Sequence, residues 1–198
     1  YIKDESIDLV YLDPPFKSNR DYNVIFKEHN GSRSTAQIKA FEDTWQWDQN
    51  TALEYVRIVE AGGKASEVMQ ALKSILGTND MLAYLTMMAP RLIELRRALK
   101  PTGSIYLHCD PTASHYLKLL MDSIFGLGQF RNEIIWKRTP FAGSSKARAK
   151  QFPCSHDVLL FYTKGDTWVW NTPSIPYSED YLERFKWDDN DGRGPYRK

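Results

Sequence analysis

Apolar positions along the chain follow two different spacings. Ile7-Asp8-Leu9-Val10-Tyr11-Leu12 is a short apolar run, with charge before it and Pro14-Pro15 after it. Such a run predicts a buried strand, and proline ends it because proline cannot donate to a ladder. Residues 17–50 read as a polar loop punctuated by aromatics, Tyr22 early and Trp45 and Trp47 late. From residue 51 to 100 the spacing changes to three and four. Leu53, Val56 and Val59, then Val68, Leu72 and Ile75, then Leu85, Met88, Leu92 and Leu99 predict helices. Gly62-Gly63 and Gly77 punctuate them, Asn79 is a predicted N-cap, and Pro90 is expected to kink or restart the last.

Lys100-Pro101-Thr102-Gly103 stops that helix, and residues 104–109 form a second strand pattern. Asp110-Pro111-Thr112 then opens a helix whose apolar face is Leu117, Leu120, Met121 and Ile124, with Gly126 and Gly128 closing it. Residues 132–138 and 157–163 are two further β-rich runs, the second ended by Gly165. This alternation predicts an α/β fold: a mostly parallel sheet with helices on both faces. No helical pattern separates the last two strands, so an antiparallel pair is expected there. Ligands of such sheets bind outside the carboxyl ends of the strands, which directs attention to Asp13 and residues 108–110.

Composition narrows the picture. A chain of 198 residues supports one core, and 13% aromatic residues exclude dominant disorder. No apolar stretch approaches the roughly 20 residues that span a bilayer. With two cysteines and no signal-like leader, a reduced, cytoplasmic setting is expected. Net charge is only +1, so any polyanion must be met by local basic patches. Tyr1-Ile2-Lys3 enters a strand almost at once and the last residues are a polar loop, which together read as a piece of a longer polypeptide.

Asp13-Pro14-Pro15-Phe16 directly follows the first strand, where a ligand is expected. There the sequence resembles the amino-methylating DNA methyltransferases, whose signature is Asp, Asn or Ser, then Pro-Pro, then an aromatic. The resemblance extends to residues 99–108, 130–138 and 156–161, which are similar to successive helix-to-strand and strand segments of that family in its permuted β-class order. It implies a Rossmann-like sheet and methyl transfer from S-adenosylmethionine to an exocyclic amine of a flipped base in double-stranded DNA, adenine N6 rather than cytosine N4. An exocyclic amine is a poor nucleophile because its lone pair is delocalised into the ring. Two acceptors on its hydrogens localise that pair. The resemblance gives these roles to the Asp13 carboxylate and the Pro14 carbonyl, which Pro15 restrains. Phe16 would stack on the flipped base. The alternative reading of the four residues is a strand-ending turn.

The family's cofactor half carries a Phe-x-Gly-x-Gly turn between a strand and a helix. None occurs in these 198 residues; Gly126-Leu127-Gly128 comes nearest, after a helix. The expected organisation is therefore the catalytic half over residues 1–170, with a helical insertion at about 51–100, and the truncated start of a target-recognition region over 171–198. Of the cofactor site only Asp13 is expected here, with weak cofactor binding by the isolated chain and self-association or a homodimer through the open edge of Ile7–Leu12.

Lys137, Arg138, Lys146, Arg148 and Lys150 form an acid-free stretch suited to phosphate contacts, or equally a solvated hairpin loop. Lys17 and Arg20 are similar candidates. His108 and Asp110 lack a second His or Cys at ligand spacing, so local hydrogen bonding and capping by Asp110 or Thr112 is expected, and no metal. Trp45 and Trp47 either stack on bases or pack over the loop; Cys109 and Cys154 read as buried small hydrophobes. The favoured function is a DNA methyltransferase fragment. Its rivals are a non-catalytic nucleic-acid-binding module that keeps the base pocket and an unrelated α/β enzyme.

Overall fold

The computed structural model describes residues 2–14, 21–23, 39–42, 45–138, 155–172, 174, 176–189, 192 and 194–197, with 21–23 and 39–42 as backbone only. Strand β1 (Ile7–Leu12) forms where the first apolar run predicts it. Two short strands, β2 (Asp21–Asn23) and β3 (Lys39–Glu42), pair antiparallel inside the segment read as loop. At three and four residues of mixed polarity they carry no period-two signal.

Three helices follow: α1 (Gln49–Ala61), α2 (Gly63–Leu76) and α3 (Asp80–Ala98). Asp48 caps α1 by accepting from Thr51 N at 2.7 Å, and Asn79 caps α3 by accepting from Leu82 N at 2.9 Å. Gly62 and Gly77 end α1 and α2 at φ 70° and 68°, a left-handed backbone that favours glycine. Pro90 does not restart the helix, because α3 runs through it unbroken. Met88, Ala89 and Leu92 are buried around it, and their burial outweighs the roughly 3 kcal/mol that an interior proline costs.

Strand β4 (Leu99–Cys109) begins directly at the end of α3, five residues earlier than predicted. Its register with β1 jumps from Ile7↔Leu99 to Leu9↔Ser104, so residues 100–103 bulge out of the ladder. Gly103 is required there: a Cβ would lie 2.9 Å from Leu99 Cδ2 and 3.1 Å from the Ile7 carbonyl oxygen. Helix α4 (Pro111–Phe125) follows, then β5 (Phe130–Lys137), β6 (His156–Thr163) and a short α5 (Glu179–Leu182).

The sheet has the order β1-β4-β6-β5. β1 and β4 are parallel, and β6 runs antiparallel to both β4 and β5. Three strands therefore share one direction and one opposes them: a mixed α/β sheet in which the expected antiparallel β5–β6 pair is joined by a second, β4–β6. One face carries Ile105, Leu107, Cys109, Val158, Leu160 and Tyr162, all buried in a core shared with the helices. Tyr162 locks α4 to this face by donating to Asp122 Oδ1 at 2.7 Å. On the other face Tyr106 stacks on Phe161 at 4.4 Å, and Trp170 lies beyond at 6.0 Å. Leu9 and Tyr11 remain 58% and 56% exposed, and β4 is the one neighbour of β1 among the described residues.

Cys109 is a buried small hydrophobe, as expected, and Cys154 lies outside the described residues. Burial first, then the nearby carboxylates of Asp110, Glu133 and Asp157, push the Cys109 thiol from 9.0 up to about 12. Folding thus favours the neutral thiol: this contribution is complete below about pH 9 and is lost as pH rises towards about 12. In a Cys154→Ser background a thiol reagent at neutral pH is expected to label Cys109 only after unfolding. Rapid labelling of the native protein would contradict the assignment of this face to the core.

Candidate active site

The polar residues at the carboxyl end of the sheet follow from register. Leu12 pairs with Leu107, so one step further Asp13 comes beside His108. His108 pairs with Leu159, and Asp157 lies two residues from Leu159 on the same face. Trp136 pairs with Asp157, so Arg138 lies diagonal to it on the neighbouring strand. Side chains on one face at such diagonal positions are within reach of one another when they are long.

The geometry is a continuous line of charge-bearing groups. His108 Nδ1 lies 3.1 Å from Asp13 Oδ1, and His108 Nε2 lies 3.7 Å from Asp157 Oδ2. Arg138 Nη2 forms an ion pair with Asp157 Oδ1 at 3.1 Å and donates to the His156 carbonyl at 3.4 Å. Exposure falls inward: the Asp13 side chain is 58% exposed, His108 16% and Asp157 7%. Pro14 is buried, which anchors the chain just after the exposed carboxylate.

Asp110 has the capping role expected of it, accepting from Ala113 N at 3.0 Å at the start of α4. Trp45 and Trp47 take the packing alternative, against Tyr84 at 5.9 Å and Tyr55 at 5.7 Å. Arg138, read from sequence as a phosphate contact, is engaged with Asp157 while Lys137 is exposed. Pro15, Phe16, Lys17, Arg20, Lys146, Arg148 and Lys150 lie outside the described residues. Among the described residues no group of three His, Cys, Asp or Glu side chains is arranged to hold a metal ion, and no helix is long and apolar enough to cross a membrane. Sequence reasoning missed Asp157. Its one signal was a carboxylate at the head of the apolar run Val158-Leu159-Leu160-Phe161-Tyr162, where an acid must find a partner as it is buried.

The family model of the DNA methylases matches residues 7–195, from β1 through the last described segment. The chain belongs to this family of amino-methylating DNA methyltransferases. It is 32% identical over 136 residues to the Mod subunit of the type III restriction-modification enzyme StyLTI from Salmonella typhimurium, covering 68% of this chain and 17% of that protein. It is also 32% identical over 115 residues to the type II methyltransferase M.EcaI of Enterobacter cloacae, covering 58% and 25%. The Mod subunit of EcoPI from Escherichia phage P1 is 24% identical over 189 residues, covering 94% and 25%. The chain thus spans about a sixth to a quarter of the length of the curated relatives it matches. Restriction-modification methyltransferases are the company in which this DNA methylase sequence stands.

Proposed function

We propose that this chain is the catalytic part of a longer DNA methyltransferase that methylates the exocyclic amine of a flipped base, adenine N6 in preference to cytosine N4. The observation that carries the reading is the exposed Asp13 carboxylate, beside His108 at the carboxyl end of β1, in a chain of the DNA methylase family. In this reading the Asp13 carboxylate and the Pro14 carbonyl accept the two amine hydrogens and draw the nitrogen lone pair out of conjugation. The developing positive charge on nitrogen then faces an acceptor already in place, so no reorganisation is needed during reaction. Phe16 stacks on the base after it leaves the duplex.

S-adenosylmethionine supplies the electrophilic methyl group when it is bound. The described residues fit only an edge of its site. Asp13 is suitably placed, whereas Gly126-Leu127-Gly128 leads from α4 into β5, the reverse of a strand-to-helix turn. We assign the main pocket to the rest of a longer protein, in a β-class order in which residues 1–170 are the catalytic half and 171–198 begin the target-recognition region. As β1 has no neighbour on its outer edge among the described residues, the isolated chain should self-associate, and it should bind the cofactor weakly.

Incubating the intact protein with duplex DNA and tritiated S-adenosylmethionine, then separating the bases, tests the reading. Label in N6-methyladenine is expected. Label in N4-methylcytosine would change the target base, and DNA binding without transfer would favour the non-catalytic module. For DNA affinity, we assign phosphate contacts to the basic stretch after β5. Neutralising Lys146, Arg148 and Lys150 together should weaken binding evenly across sequences and flatten the salt dependence by about one unit of slope for each phosphate left without its cation. An unchanged slope would return the stretch to a solvated loop.

A further inference from the structure

We propose that His108 is a positioning residue for the reaction, holding one oxygen of the Asp13 carboxylate so that the other faces the target amine. The inference rests on Asp13 being an amine acceptor, as proposed above, and adds what fixes that acceptor in place. An aspartate 58% exposed at a strand end has several rotamers, and amine activation needs one. The ring of His108 is on hand to select it, with Nδ1 3.1 Å from Asp13 Oδ1.

A selector must itself be immobile. His108 sits on β4, paired with Leu159 of β6 and directly after Leu107, which closes the ladder with β1. Its ring is mostly buried, and its far nitrogen lies 3.7 Å from Asp157 Oδ2. Asp157 is buried in turn, and Arg138 holds its other oxygen at 3.1 Å. In the line from Arg138 through Asp157 and His108 to Asp13, the two inner members lie within β4 and β6 and are placed by sheet register, while Asp13 and Arg138 are the first residues past the ends of β1 and β5. With Oδ1 held by His108, Oδ2 is the oxygen assigned to the amine. This also gives Arg138 a place in the site, as the outer support of Asp157.

The test uses single-turnover methyl transfer by the intact protein, with melting temperature measured for each variant. An asparagine amide nitrogen occupies nearly the place of Nδ1, whereas that of glutamine reaches the place of Nε2. His108→Ala is expected to lower the transfer rate by about 10–100-fold, with KM for DNA unchanged within about three-fold. His108→Asn should recover at least about ten-fold of that loss, and His108→Gln little of it. Wild-type rates in His108→Ala would overturn the proposal. So would equal losses in all three variants that track their melting temperatures, because His108 would then merely fill space. Asp13→Ala run in parallel separates the two readings: if it stays active the amine-acceptor role fails, whereas an inactive Asp13→Ala beside a fully active His108→Ala removes only the role of His108.

Discussion

Asp13→Ala in the intact protein is expected to lower methyl transfer by at least about 10²–10³-fold, the size of effect seen when one preorganised electrostatic partner of a transition state is removed. DNA affinity should stay within about three-fold, because phosphate contacts made elsewhere supply most of it. In the proposed mechanism the two effects separate because the Asp13 carboxylate gains its interaction as charge develops on the amine. In free energy the rate loss corresponds to about 3–4 kcal/mol. Asp13→Asn keeps an acceptor oxygen without the charge, so its loss should be smaller. Tritium incorporation and filter binding on the same preparations would check both halves. Full transfer by Asp13→Ala would overturn the assignment of the motif, and a parallel collapse of DNA binding would point to a structural defect.

Leu107→Ala is expected to be the most damaging of the simple substitutions in the sheet, lowering stability by about 2–5 kcal/mol. Leu107 is fully buried, pairs with Leu12 and Leu160, and faces the helical side of the sheet. Truncation there leaves a cavity between elements that cannot close around it. At about 2–4 °C per kcal/mol the melting temperature should fall by roughly 4–20 °C. Leu9→Ala, on the opposite face and 58% exposed, should cost no more than about 1 kcal/mol in the same chain. Denaturant melts of the two variants would therefore report which face is packed. Equal costs would mean that the face of Leu9 and Tyr11 is covered as fully as the other.

Much of the architecture was legible in sequence because its signals are local. β1 stops just before Pro14, and glycines end α1 and α2. Asn79 starts α3, and Asp110 with Pro111 starts α4. Each acts through the backbone of its own few residues, so no distant contact is needed to read it. Pro90 shows the limit of that reasoning. The cost of the proline is local and visible, while the burial of Met88, Ala89 and Leu92 that overrides it depends on the packing of whole helices.

The site divides along the same line. Asp13 and Pro14 directly follow β1, so the place of the motif's first residues at a carboxyl end could be inferred from sequence, as could the family to which the chain belongs. Which residues support Asp13 could not. His108 is 95 positions from it and Asp157 a further 49, and only the register of three strands brings them into line. The pairing that places β6 between β4 and β5 decides this, and a shift of one residue would turn every one of these side chains to the other face. Contiguous motif and local caps were therefore determined by sequence alone. The charged line behind Asp13 was decided by tertiary structure, because strand register is set by how the whole sheet packs on its helices.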